Sequence, residues 1–219
     1  MPKVLISDKL SPDAAAIFEA RGIEVDVTPG LTAEQLAEVI GDYDGLAIRS
    51  ATKVTADLLA HATRLKVVGR AGIGVDNVDI PAATTRGVVV MNTPHGNAVT
   101  TAEHAITMML SLARQIPAAN ESTQAGKWEK SRFLGTEITG KTLGLIGCGN
   151  IGSIVADRAQ GVRMKVIGFD PFMSADHARD TGIEKVELDE LLARAEFITL
   201  HTPLTDKTKN ILSREALGK

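Results

Sequence analysis

The chain has 219 residues, 44% of them hydrophobic, with both charge signs mixed along it and a formal net charge of −3. No basic block invites nucleic acid or an anionic membrane, and no apolar run approaches the roughly 18–20 residues that span a bilayer. The single cysteine excludes an intrachain disulfide and no Cys/His cluster has zinc spacing, so no metal is expected and a cytoplasmic globular protein is.

Strands and helices alternate from the start. Residues 3–7 are apolar and strand-like, and Ser11, Pro12 and Asp13 then open a helix, with serine as N-cap and proline at the first helical position. Residues 23–27 form a second strand, and Thr32 with Gln35 has capping-box spacing for a second helix. A strand at 45–49, a helix at 55–62 and a strand at 66–69 follow; Pro81 starts a short helix before a strand at 88–91. Short strands rich in Val, Ile and Leu, separated by helices, predict a parallel sheet covered on both faces. Ligands of such sheets sit beyond the carboxyl ends of the strands. Those ends carry Arg49 and Ser50, then Gly69, Arg70, Ala71, Gly72, Ile73 and Gly74, and finally Asn92 through Asn97. Two guanidiniums, a hydroxyl, an amide and a glycine-rich backbone suit a small anionic substrate gripped by forked hydrogen bonds. Solvated strand-end charges would explain Arg49 and Arg70 equally well. His95, between Pro94 and Gly96, reads as structural or solvated rather than as a base.

Residues 98–124 read as one continuous helix ended by Gly126, about 40 Å long and able to cross between two domains. The boundary is therefore placed at residue 98. After an irregular stretch at 127–141, a strand at 142–146 runs into Gly147-Cys148-Gly149-Asn150-Ile151-Gly152. A helix and a second strand at 165–169 follow, closed by Asp170. That order is the pattern of a dinucleotide site. Gly147 allows the tight turn, Gly149 lets backbone approach a pyrophosphate, and Gly152 lets the helix pack on the strand. The helix N-terminus offers N–H groups and a positive dipole end to the anion. Asp170 stands where a carboxylate accepts both ribose hydroxyls, and with no cation in Pro171, Phe172 or Met173 it favours NAD over NADP. An adenosine-bearing methyl donor could use a similar acid and stays open. A weak strand near 184–186, a charged amphipathic helix at 187–196 and a strand at 197–200 complete the reading. Thr202, just past His201, is the better cofactor-contact candidate of the two. His61, His104 and His177 read as surface or packing residues.

The segments IRSATKVTADLL, VVGRAGIGVDNVD, VVMNTPHGN, AEHAITMMLSLARQIP, GKWEKSRFLGTEITGKTLGLIGCGNIG and FITLHTPLTDKTKNIL together cover nearly the whole chain. With them it resembles the D-isomer-specific 2-hydroxyacid dehydrogenases. Within that family the likeness is greatest to the members that oxidise 3-phosphoglycerate to 3-phosphohydroxypyruvate with NAD, the first step of serine biosynthesis. The resemblance implies a flavodoxin-like substrate domain over 1–97 and a Rossmann NAD-binding domain over 98–219. It implies substrate contacts by Arg49, Ser50, Arg70, the backbone of Gly72, Ile73 and Gly74, and Asn97. Asn150, Ile151, Asp170, Thr202 and Pro203 match its cofactor contacts, beside Gly147, Gly149 and Gly152. It also implies a homodimer formed through the NAD-binding domain. Family members use an Arg, a Glu and a His that follow the HTP segment, and none of the 219 residues matches them. Arg214 and Glu215 fall in an expected helix and are not assigned those roles. The expectation is thus a fragment with no catalytic residue of its own. It would carry four of six Rossmann strands and a first domain without its C-terminal return segment. A non-catalytic NAD-responsive binding module, or a dehydrogenase for another D-2-hydroxy acid, remains the alternative.

Overall fold

The computed structural model describes residues 1–218, and the chain divides at Asn97 into units Met1–Asn97 and Ala98–Lys219. In the first unit, β1 (Lys3–Ile6), β2 (Glu24–Val27), β3 (Gly45–Ile48), β4 (Val67–Arg70) and β5 (Val89–Asn92) lie parallel in the order β2-β1-β3-β4-β5. This is the flavodoxin-like order, whose switch point falls between β1 and β3. Four helices cover the sheet: α1 (Asp13–Glu19), α2 (Ala33–Val39), α3 (Ala56–His61) and α4 (Ile80–Thr85). Their starts follow from short polar side chains. Thr32 accepts from the Gln35 amide at 3.3 Å while the Gln35 side chain accepts from the Thr32 amide at 3.0 Å. Thr55 and Asp79 cap α3 and α4 by accepting from the Leu58 and Ala82 amides, without the return bond. Ser11 Oγ accepts from the Asp13 amide, so α1 begins one residue later than the sequence implies, with Pro12 just outside it. The core gathers Leu5, Leu46, Ile48 and Val68 of the strands with Ile40, Leu58 and Leu59. Each fully buried Leu or Ile contributes about 1.5–3 kcal/mol.

The second unit begins with α5 (Ala98–Ala113) and α6 (Ile116–Gln124). The single long helix expected over 98–124 is therefore broken. Pro117 has no N–H, and its ring would strike the carbonyl four residues back, that of Ala113. Gln115 turns left-handed (φ 53°), and the freed Ala113 carbonyl accepts from the Thr136 amide at 2.7 Å. Gly135 makes that approach possible, since a Cβ there would lie 2.6 Å from the Ala113 oxygen.

Beyond these helices come β6 (Thr142–Ile146), α7 (Asn150–Gly161), β7 (Lys165–Phe169), α8 (Ala175–Thr181), β8 (Glu184–Lys185), α9 (Leu188–Arg194) and β9 (Phe197–Leu200). The sheet is parallel, in the order β8-β7-β6-β9. Numbered within the unit that is 3-2-1-4, as in a dinucleotide-binding fold. Alternation along β6 sends Leu143 and Leu145 to Ala102, Val155, Ala156 and Ala159 on one face, and Ile146 to Leu191 on the other. Among the described residues β9 pairs with β6 alone. A cavity of about 510 Å³ opens beside it, lined by Ile106, Met109, Val155 and Phe197 among others. Arg214 and Glu215 sit in a turn ahead of a one-turn 3-10 helix, not in an α-helix as expected. Among the described residues no helix is long and apolar enough to cross a membrane, and no cluster of His, Cys, Asp or Glu could hold a metal ion.

Candidate functional site

Each unit presents candidate residues at the carboxyl ends of its strands. In the second unit the switch point lies between β6 and β9, and the glycine turn occupies it. Gly147 has φ +95°, a region L side chains rarely adopt. A Cβ there would also sit 2.7 Å from the His201 carbonyl oxygen and 2.9 Å from Thr202 Cγ2. The segment carrying Thr202 and Pro203 thus lies directly against the turn. A Cβ at Gly152 would collide with the Gly147 carbonyl oxygen, so this glycine sets the contact between α7 and the end of β6. Gly149 differs: a Cβ would meet nothing within 4 Å. It faces open space, as a backbone cradle for a pyrophosphate requires. The amides of Ile151 and Gly152, in the first turn of α7, have no acceptor within the helix.

Asp170 follows β7, half-buried. Its Oδ2 accepts from the Cys148 amide at 2.9 Å and its Oδ1 from the Phe172 amide at 2.8 Å. The two bonds fix the carboxylate beside the turn, and each oxygen keeps a lone pair for a sugar hydroxyl. The residues fit a dinucleotide. Cys148 is buried in the turn, and burial pushes its thiol up to about 12, so it stays a neutral packing group. His201 bonds Thr199 Oγ1 at 3.0 Å, and burial holds its pKa below the usual histidine value. The sequence reading missed His177. It is half-buried, with Nε2 3.0 Å from both Ser153 Oγ and the Cys148 carbonyl oxygen. None of the candidate cofactor residues lines the 510 Å³ cavity, which is an apolar hollow away from the turn.

In the first unit, Arg49 and Ser50 follow β3 at the β1/β3 switch point, both exposed. Two residues that sequence reasoning passed over hold this loop. Asp8 Oδ2 accepts from the Arg49 amide at 2.6 Å, and Asp8 Oδ1 from the Thr52 hydroxyl at 2.7 Å and the Thr52 amide at 3.1 Å. Asn77 donates to the carbonyls of Arg49 (2.7 Å) and Thr52 (2.6 Å). Burial would push the Asp8 carboxyl up, but hydrogen bonds from Thr52, Arg49 and Ala51 outweigh it and hold it below the ordinary value. Their only signal in the sequence was a polar residue just past β1 and another in a loop.

Arg70 ends β4 with its side chain 12% exposed and Nη1 2.8 Å from Asp76. Its Nε is buried and has no partner among the described residues, a spare donor. The loop of Gly72, Ile73 and Gly74 folds over this guanidinium; a Cβ on Gly74 would lie 3.1 Å from Arg70 Nη1. The Gly72 carbonyl accepts from the Thr93 amide at 3.0 Å and the Ile73 carbonyl from Asn92 at 2.6 Å. Asn97 and His95 are exposed at the end of the unit.

The family described as D-isomer specific 2-hydroxyacid dehydrogenase, NAD binding domain, matches residues 106–219, and the chain belongs to it. Over all 219 residues the chain is 46% identical to a Synechocystis sp. protein called D-3-phosphoglycerate dehydrogenase, of which it covers 39%. Two solved structures are similar in fold. The TT0316 protein from Thermus thermophilus matches with TM-score 0.88 and 32% identity, over 98% of this chain and 69% of that one. D-lactate dehydrogenase from Aquifex aeolicus, solved with NAD and lactic acid, matches with TM-score 0.85 and 26% identity, over 98% and 65%. The chain spans about 40% of the length of the curated relatives it matches.

Proposed function

We propose that this chain carries the anion-binding and NAD-binding parts of a D-3-phosphoglycerate dehydrogenase. The observation that carries the reading is the turn at Gly147, with open space at Gly149 and the Asp170 carboxylate fixed beside it. The name of the Synechocystis relative supports the substrate. Bound NAD would supply a hydride acceptor for the secondary alcohol of a 2-hydroxy acid. The chain's own part is recognition. Asp170 accepts from the adenosine ribose, where a 2′-phosphate would meet its negative charge. Gly147, Gly149, Asn150, Ile151 and Gly152 form the pyrophosphate turn, and Thr202 and Pro203 border it. Arg49, Ser50, Arg70, the Gly72, Ile73 and Gly74 backbone and Asn97 take the substrate's anionic groups.

No residue of the chain is assigned the proton-transfer role: His95 is exposed in a turn, and the His201 ring is engaged by Thr199 Oγ1 at 3.0 Å. Residues 1–219 alone are accordingly expected to bind NAD with little or no turnover. The native setting proposed is a cytoplasmic homodimer joined through the NAD-binding unit. Calorimetric titration with NAD and NADP tests the cofactor, and Asp170→Ala is expected to weaken NAD about tenfold, the loss of a charge-assisted contact. Tighter NADP than NAD binding by the unmodified protein would overturn the ribose assignment. Oxidation of 3-phosphoglycerate at ordinary enzyme rates would overturn the expectation of low turnover. NAD-dependent capture of a protein partner without phosphoglycerate binding would favour a binding module instead.

A further inference from the structure

The open space around Gly149 poses a problem of restraint. No side chain packs where its Cβ would be, and glycine itself has wide backbone freedom, so packing holds the 148–149 peptide only from its buried Cys148 end. Hydrogen bonds supply the rest. The Cys148 amide is tied to Asp170 on one side. Its carbonyl is met on the other by Ser153 Oγ at 3.1 Å, from the first turns of α7, and by His177 Nε2 at 3.0 Å, from α8. His177 is itself placed by the start of α8, where its amide donates to the capping Ser174 hydroxyl at 3.1 Å. A carbonyl only accepts, so the Nε2 contact requires the ring proton on Nε2. Ser153 has a single hydroxyl proton to share between the Cys148 carbonyl and that of Gly149, at 2.9 Å. The Nε2 proton faces one carbonyl, that of Cys148, with Ser153 Oγ also 3.0 Å away.

We infer that His177, supported by Ser153, is a positioning residue for the pyrophosphate turn. In a trans peptide the C=O and the following N–H point in opposite directions. Holding the Cys148 carbonyl toward α7 and α8 thus turns the Gly149 N–H to the open side. It also withdraws a carbonyl oxygen, a partial negative charge, from the place proposed for two phosphates. Loss of the imidazole leaves only the shared Ser153 proton on that carbonyl, so the peptide rotates more readily and presents the oxygen to the anion more often. The inference rests on the NAD reading above and adds to it a residue that the glycine pattern does not contain.

The test titrates the full chain and its His177→Leu, His177→Gln and Ser153→Ala variants with ADP-ribose, which carries the pyrophosphate, and with adenosine, which does not. His177→Leu is expected to weaken ADP-ribose and NAD about three- to tenfold, the range of one hydrogen bond, and to leave adenosine within about twofold. Ser153→Ala weakens ADP-ribose less, because the imidazole remains. Glutamine places an amide N–H near the position of Nε2, so His177→Gln restores most of the loss. Nitrogen-edited NMR of the unmodified chain shows the Nε2–H tautomer. Unchanged ADP-ribose affinity in His177→Leu, equal losses for adenosine and ADP-ribose, or an Nδ1–H tautomer would each overturn the assignment. If the unmodified chain binds neither NAD nor ADP-ribose, the cofactor reading fails first and this inference with it.

Discussion

Replacing Asp8 by asparagine removes one charge and reverses one end of a hydrogen-bonding group that is 5% exposed. Both carboxylate oxygens face donors: Oδ2 the Arg49 amide at 2.6 Å and the Thr52 amide at 3.2 Å, and Oδ1 the Thr52 amide and hydroxyl. An asparagine has one acceptor and one NH₂. With its oxygen in the Oδ2 position both backbone amides keep an acceptor, but the NH₂ then opposes the Thr52 amide and the Thr52 hydroxyl loses its carboxylate partner. One bond is lost, at a cost of about 1 kcal/mol, and the remaining bonds lose their charge assistance. We expect Asp8→Asn to destabilise the first unit by about 1–3 kcal/mol, since the two losses add. That corresponds to a fall of about 0.5–1.5 M in urea midpoint for a unit of this size. Tyr43, the chain's single tyrosine, is buried in this unit and reports its unfolding. Amide exchange at Arg49 and Thr52 reports the loop directly. The pH dependence has a fixed sign. Folding lowers the Asp8 pKa, so its stabilisation is fully present above the unfolded value of about 3.9 and is lost as pH falls through the folded value. The variant lacks that segment of the profile. An unchanged midpoint with equal protection at both amides would refute the reasoning.

Three further outcomes are expected. Gly147→Ala, which forces a Cβ onto the His201 carbonyl at a φ of +95°, is expected to abolish measurable NAD binding and lower the thermal midpoint of the second unit. A normal NAD titration would contradict it. Arg70→Lys keeps the charge but loses the planar fork and the spare Nε, so affinity for 3-phosphoglycerate, read by ligand-observed NMR, is expected to fall about tenfold or more. Pro117→Ala removes the clash with the Ala113 carbonyl; backbone chemical shifts at Arg114 and Gln115 are expected to move toward helical values, and an unchanged left-handed Gln115 would show that Thr136 alone breaks the helix.

What the sequence made legible and what it hid divide along contact range. The parallel sheet of the first unit followed from short apolar runs between capped helices, its flavodoxin-like order only from the family resemblance, and the Thr32–Gln35 box appears as its spacing requires. The glycine turn was readable because its parts are neighbours: a strand, three glycines and a helix in one stretch, with Asp170 one strand on. Asp8, Asn77 and His177 were not readable. Their partners lie 41, 28 and 29 residues away, and no periodicity marks a polar side chain that reaches across a fold. The helix break is a different failure. Pro117 lay inside a run read as helix-compatible from end to end, whereas in the chain one lost bond and one clash decide the geometry.

The end of β6 is where three strands are knotted. Gly147 donates to the Phe169 carbonyl beside it, His201 donates to the Ile146 carbonyl, and Cys148 reaches Asp170. A molecule seated on this turn therefore braces β7 and β9 as well as β6, without touching most of either. At a hundredfold excess over its dissociation constant it would add about 2.7 kcal/mol against opening. Protease nicks in the second unit would then become rarer throughout the sheet, while those in the first unit continued at their old rate.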